Sequence, residues 1–246
     1  MESTSTVAVD RLDRPARPVG LKLATTTLIL AAAGVALAGG LLLAFWVAPT
    51  DASTLGFSQK IFYFHAPIAE TALLAYGVAF VAAVLYLRRE DPRYDRLGVA
   101  AVRLGLLFSV LVLITGSIWG KAAWGVWWAW DARLTTFLIA CLLYGGYFVL
   151  RATVEDESRR ATYAALFAIV AFVDVPITFF ATRLLPAGLH PVVLGPQGSG
   201  MAARDLAAFL VCMAGMTLLF VGLLRVELGI EALRDQLQDL KYRLGS

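Results

Sequence analysis

Two histidines and a run of tryptophans carry most of the chemistry open to this chain. Its 246 residues include only His65, in Q-K-I-F-Y-F-H-A-P, and His190, in L-P-A-G-L-H-P-V-V. Five of the six tryptophans, Trp119, Trp124, Trp127, Trp128 and Trp130, lie in W-G-K-A-A-W-G-V-W-W-A-W-D-A-R at 119–133, with Asp131 beside the last of them. Imidazole is the commonest metal-ligating side chain, and indole is the largest flat apolar surface a residue can present. On an ideal helix at about 100° per residue, the five indoles fall within roughly half the circumference, with Asp131 on the same side. The segment is therefore expected to form an aromatic plate with a carboxylate set into it. Gly120 and Gly125 are the points where such a helix would break.

The elements that must position these residues are membrane spans. The chain is 59% hydrophobic and only 16% charged, with a mean hydropathy of +0.74, which places it in a bilayer and not among soluble domains. Residues 1–20 read as a polar tail. Apolar runs follow at 21–47, 66–87, 97–118, 134–150, 161–181 and 206–224. The first is too long for a signal-peptide core and is expected to be retained. Most Lys and Arg residues fall on the side shared by the two termini, and only Lys60, Lys121, Arg133, Arg183 and Arg204 fall on the other. By the positive-inside rule both termini face the cytoplasm. The expected fold is an all-α integral membrane protein of six transmembrane helices, the membrane domain spanning 21–224. The Trp-rich segment at 119–135 falls in the second outer loop, and a cytoplasmic amphipathic helix occupies 225–246. In that tail Val226, Leu233, Leu237, Leu240 and Leu244 form a short heptad seam, which either extends the last helix or packs on a partner.

All six tryptophans, including Trp46, map to the outer side, together with both histidines. An interfacial aromatic belt would serve both faces, so a ligand with a large flat apolar surface is the better reading. Zinc needs three or four ligands, and no cysteine or third histidine is available on this face; Asp131 could join, but five indoles do nothing for a zinc ion. Haem iron needs two axial ligands, and its macrocycle is stabilised by stacking and burial. Its propionates require cations, for which the five outer Lys and Arg residues are the candidates.

The remaining features are blander. Cys141 and Cys212 sit inside apolar runs with no C-x-x-C and read as small hydrophobes. The net charge of +3 comes from basic clusters between apolar runs, which argues against nucleic acid as a partner. Glu70 and Asp174 are carboxylates within spans, where charge is costly, and Asp174 is expected either to pair with Arg103 or to line a cavity. No nucleotide-binding or hydrolase motif is present, so the chain is expected not to be a hydrolase.

W-G-V-W-W-A-W-D-A-R-L-T at 124–135 resembles the "WWD" signature of haem-handling membrane proteins. The W-D-A-R-L-T ending resembles the CcmC (haem exporter protein C) branch of cytochrome c maturation, whereas larger haem lyases continue with W-D-P-x-E. S-I-W-G before it, K-I-F-Y-F-H-A-P-I-A around His65, V-D-V-P-I in the fifth span and the single L-H-P agree, so the resemblance covers about residues 45–220. It implies haem b bound with His65 and His190 as axial ligands. Trp119, Trp124, Trp127, Trp128, Trp130 and Asp131 would lie against the porphyrin. It also implies delivery to the periplasmic haem chaperone CcmE, beside the ABC subunits CcmA and CcmB and the single-span subunit CcmD, in the bacterial cytoplasmic (inner) membrane. One departure is the stretch before His190, tryptophan-rich in many relatives but Arg183-Leu184-Leu185-Pro186-Ala187-Gly188-Leu189 here.

Two other readings stand beside this one. A membrane cytochrome for electron transfer would also use histidine-ligated haem, but normally stacks two haems on four intramembrane histidines. A permease subunit without haem would need a polar path between spans, for which Glu70, Arg103 and Asp174 are meagre.

Overall fold

The computed structural model describes residues 19–48, 56–184, 194–195, 198–199 and 201–245. α1 (Val19–Leu42) runs into a π-helical turn, Leu43–Val47, and a 3₁₀ turn, Gly56–Ile61, leads into α2 (Phe62–Arg89). α3 (Pro92–Trp124), α4 (Ala132–Thr153), α5 (Glu157–Ala171), α6 (Asp174–Leu184) and α7 (Ala203–Gly245) follow. One pair of two-residue antiparallel strands, β1 (Leu194–Gly195) and β2 (Gly198–Ser199), interrupts the helical pattern. Among the described residues, six helical stretches are long and apolar enough to cross a membrane, α5 and α6 together making the fifth. Large side chains such as Leu28, Val35, Leu142 and Val170 stay more than half exposed on their flanks, as a lipid-facing surface requires.

Among the described residues, three helices are capped at the N-terminus by an aspartate side chain. Asp91, Asp131 and Asp156 each take a backbone N–H of the first turn, from Arg93, Leu134 and Arg159, at 2.9, 2.8 and 2.7 Å. Pro92 follows Asp91 at the first helical position, where its missing N–H costs nothing. Pro176 acts differently: it leaves the Phe172 carbonyl without its helical donor, and that carbonyl instead accepts from Val175 at 3.0 Å. The fifth apolar run is therefore two helices, with a break at Phe172 and Val173.

Packing is built on small residues. α2 lays Ala72, Ala75, Ala79 and Ala82, all fully or almost fully buried, along α3, where Gly98, Ala101 and Gly105 allow close approach. Into this seam Tyr76 inserts its ring against Gly105, donates to or accepts from Ser109 at 2.7 Å, and stacks face to face on Tyr144 of α4 at 3.6 Å. α1 and α7 mesh in the same way and antiparallel: Gly215 receives Leu37, Gly222 receives Leu30, and Gly40 lies under Cys212. The cysteine is thus packing, as its apolar context suggested.

Charges gather at the end of the bundle away from His65. Arg151 grips Asp95 through two bonds of 2.6 and 2.9 Å, tying α4 to α3. Arg103 pairs with Glu227 of α7, and Arg225 donates to Thr26 of α1 at 3.1 Å. The expected alternative of an Arg103–Asp174 pair is thereby overturned: Asp174 lies at the start of α6, buried, where Thr178 donates to it at 3.2 Å. α7 passes 224 without a break and reaches Gly245, about 64 Å at 1.5 Å per residue, roughly twice a bilayer core. Along its far part Val226, Ile230, Leu233, Leu237 and Leu240, four and three residues apart, remain exposed.

The Tyr76 seam makes a test of the packing. A Cβ on Gly105 would stand 2.6 Å from Tyr76 Cε1, and Tyr76 is pinned by both Ser109 and Tyr144. Gly105→Ala should therefore destabilise by about 1–3 kcal/mol and lower the melting temperature in detergent by several degrees. Gly34→Ala, where nothing lies within 4 Å of the new methyl, should leave it unchanged or slightly raised.

Candidate functional site

The antiparallel pairing of α2 and α3 brings the N-terminal turn of α2 against the C-terminal turns of α3. His65 lies in that turn and is 8% exposed. Its Nδ1 is 2.9 Å from Thr115 Oγ1, its ring lies over Gly116, and the ring of Trp119 meets it edge-on at 5.6 Å between centroids. Thr115, Gly116 and Trp119 occupy positions i, i+1 and i+4 of α3, one face of the helix. Trp119 continues outward onto Trp124, stacked at 6.2 Å, and sideways onto Phe62 at 6.2 Å. Phe62 in turn stacks on Phe209 of α7 at 5.2 Å. α7 is locked to the same place by Tyr63, whose hydroxyl donates to Asp205 at 2.5 Å.

The single aromatic plate expected over 119–131 is corrected by the structure. α3 ends at Trp124 because Gly125 takes a left-handed conformation (φ 76°), which glycine adopts without penalty, and Lys121 reaches forward to donate to the Gly125 carbonyl at 2.9 Å. Trp119 and Trp124 thus belong to a helix end, whereas Trp127, Trp128 and Trp130 lie on the connection that follows. Trp128 meets Trp130 edge-on at 5.6 Å. Trp127 and Trp130 are 61% and 76% exposed, unusual for indoles and available as contact surface. Asp131 is not set into a plate: its Oδ1 caps α4.

The donor inventory bears on what the site can hold. Among the described residues, the indole nitrogens of Trp119 and Trp128 are both buried without a hydrogen-bond partner, and a donor in that state costs about 1–3 kcal/mol. Two unsatisfied donors, a held imidazole and exposed indole faces suit a ligand combining a metal, a flat apolar body and acceptor groups. Among the described residues no cluster of three His, Cys, Asp or Glu side chains is placed to hold a bare metal ion. Of the candidate cations, Lys60 is buried and donates to the Ala48 carbonyl at 2.7 Å, Lys121 is engaged by Gly125, Arg133 is half-buried at the start of α4, and Arg204 is exposed. His190 lies outside the described residues, as does the side chain of Arg183, so the second proposed ligand is not located.

Sequence reasoning overlooked Thr115, Gly116, Phe62 and Phe209. The first two were within reach, since stepping back one helical turn from Trp119 lands on them. Phe209 was not, because only the packing of α7 on α2 brings it to the site.

A bundle of membrane-crossing helices that presents a held imidazole and exposed tryptophans at one end defines a class: multi-pass membrane proteins of all-helical fold. The family model described as "Heme exporter protein C" (CcmC) matches residues 8–243, and the chain belongs to this family. It is 34% identical over 225 residues to "Heme exporter protein C" of Bradyrhizobium diazoefficiens, covering 91% of this chain and 82% of the relative. It is 30% identical to the Rhodobacter capsulatus protein of the same name, covering 87% of this chain and 89% of that one. The Paracoccus denitrificans protein, again so named, is 34% identical over 76% of this chain and 79% of its own length.

The cap on α4 separates two roles for Asp131. Asp131→Ala should cost about 1 kcal/mol in thermal unfolding, whereas Asp131→Asn, which still accepts from Leu134, should cost a few tenths at most. Equal losses in the two variants would show that the negative charge matters beyond the cap.

Proposed function

We propose that this protein binds haem at the His65 end of its bundle and hands it to a periplasmic haem chaperone of the CcmE type during cytochrome c maturation. In this reading the His65 end faces outward from the bacterial cytoplasmic membrane, both termini face inward, and the chain works beside CcmA, CcmB and CcmD. Membership of the CcmC family and the lysine and arginine distribution support it. The observation that carries it is the juxtaposition of His65, held by Thr115 and Trp119, with indole donors that lack partners among the described residues and with exposed indole faces.

Magnitudes assign the roles. Covering Trp127 and Trp130 removes on the order of 200 Å² of apolar surface from water, about 5 kcal/mol at 25 cal/mol per Å². The freedom lost on association offsets most of such a gain. Retention must therefore come from iron–imidazole bonds, with His65 as one axial ligand and His190 as the other, while Trp119, Trp124 and Trp128 shape the wall. An exposed tryptophan surface also favours transfer over electron carriage, because a cargo must leave and its partner must reach it. Release then requires a partner with higher affinity for haem, or for the haem-free state.

The absorption spectrum of the purified protein tests the ligands. His65→Ala and His190→Ala should each shift the haem bands and lower haem occupancy by more than about tenfold; unchanged spectra in both would refute the assignment. Trp127→Ala, combined with Trp130→Ala, should leave the spectrum nearly intact and slow haem transfer to the chaperone. Normal transfer by that double variant would reduce the exposed indoles to membrane anchors.

A further inference from the structure

We propose that Thr115 is a positioning residue that sets the tautomer of His65, so that Nε2 carries the lone pair and is the ligating atom; the ligating part of this inference rests on the haem reading above. The argument is one of proton inventory. Thr115 Oγ1 lies 2.8 Å from the Leu111 carbonyl and 3.3 Å from the Val112 carbonyl, both acceptors only. A hydroxyl has one proton, and those contacts claim it. Were the proton directed at His65 instead, the hydroxyl oxygen and the Leu111 carbonyl oxygen would face each other at 2.8 Å with nothing between them. The arrangement that satisfies both neighbours has Thr115 donating to the helix backbone and accepting from His65 Nδ1–H at 2.9 Å. A neutral imidazole protonated at Nδ1 has its lone pair on Nε2, the nitrogen turned away from Thr115.

The same helix face holds the ring in place. Gly116 leaves room for it: a Cβ there would stand 3.0 Å from His65 Cε1 and 3.7 and 3.8 Å from the two ring nitrogens. Trp119, one turn from Thr115, closes the third side with its ring at 65° to the imidazole. Rotating the imidazole by half a turn would place a carbon against Thr115 Oγ1 and lose the bond. Metal-bound histidines generally have the second nitrogen fixed by such a bond, and removing the partner typically costs 10–100-fold in affinity.

The chain's two histidines make the tautomer directly measurable. Full-length, haem-free protein labelled with ¹⁵N-histidine and held in nanodiscs well above the ordinary imidazole pKa of about 6.5 gives two pairs of ring-nitrogen signals, assigned with His190→Ala. His65 should show a protonated Nδ1 and an unprotonated Nε2. Thr115→Val should convert it to a mixture or to the opposite tautomer, and Thr115→Ser, which keeps the hydroxyl, should restore the original pattern. Haem-loaded Thr115→Val should retain haem roughly tenfold less well, with a shifted reduction potential, and Thr115→Ser should behave as the unaltered protein. An Nε2–H tautomer in the unaltered protein, or a tautomer indifferent to Thr115→Val, would overturn the proposal. If the tautomer responds as stated while His65→Ala leaves the haem spectrum unchanged, the hydrogen bond stands and the assignment of His65 as a ligand falls.

Discussion

The close contact between α2 and α3 is the constraint on which the rest of this protein depends. The two helices run antiparallel in one register along their whole length: Ala82 faces Gly98, Tyr76 faces Gly105 and Ser109, His65 faces Thr115 and Gly116, and Phe62 faces Trp119. In a bilayer no hydrophobic driving force separates one apolar helix face from another, so close approach through alanine and glycine decides the register. A shift of one residue at Tyr76 would move His65 off Thr115. The chemistry at the mouth of the bundle is therefore set by packing in its middle.

The tryptophan segment illustrates how one residue type serves several ends. Trp119 is buried and belongs to the wall around His65, whereas Trp127 and Trp130 are largely exposed on the connection to α4. A single glycine in a left-handed conformation makes the division, and Asp131 restarts the helix within seven residues of the end of α3. The result joins a rigid inner wall to an outer surface suited to contact. That combination fits a family named for haem export better than it fits a fixed electron carrier, whose cofactor stays enclosed.

At the other end of the bundle, ion pairs join the helices. Arg151–Asp95 and Arg103–Glu227 join α4 to α3 and α3 to α7, and each places its guanidinium near a helix terminus or an exposed flank. These pairs brace the helices without entering the seam of small residues. The two ends therefore differ in kind: one is held by ion pairs, the other by ring contacts around His65.

Much of this protein was determined by its sequence alone. Six apolar runs separated by short polar segments leave only a helical bundle in a bilayer, because a backbone without water must satisfy its hydrogen bonds within each span. Tryptophans and histidines gathered between those runs singled out one end of the bundle as the candidate site, and the W-G-V-W-W-A-W-D motif marked the family. The ends of helices at Gly125 and before Asp174 have local causes, a glycine and Pro176, that the sequence carries. What periodicity cannot encode is which neighbour a side chain meets: the pairing of Arg103 with Glu227 instead of Asp174 and the arrival of Phe209 beside Phe62 follow from contacts between distant segments. Thr115 is the clearest case: a threonine in an apolar helix is unremarkable in sequence, and only the register of α2 on α3 gives its hydroxyl an imidazole to hold.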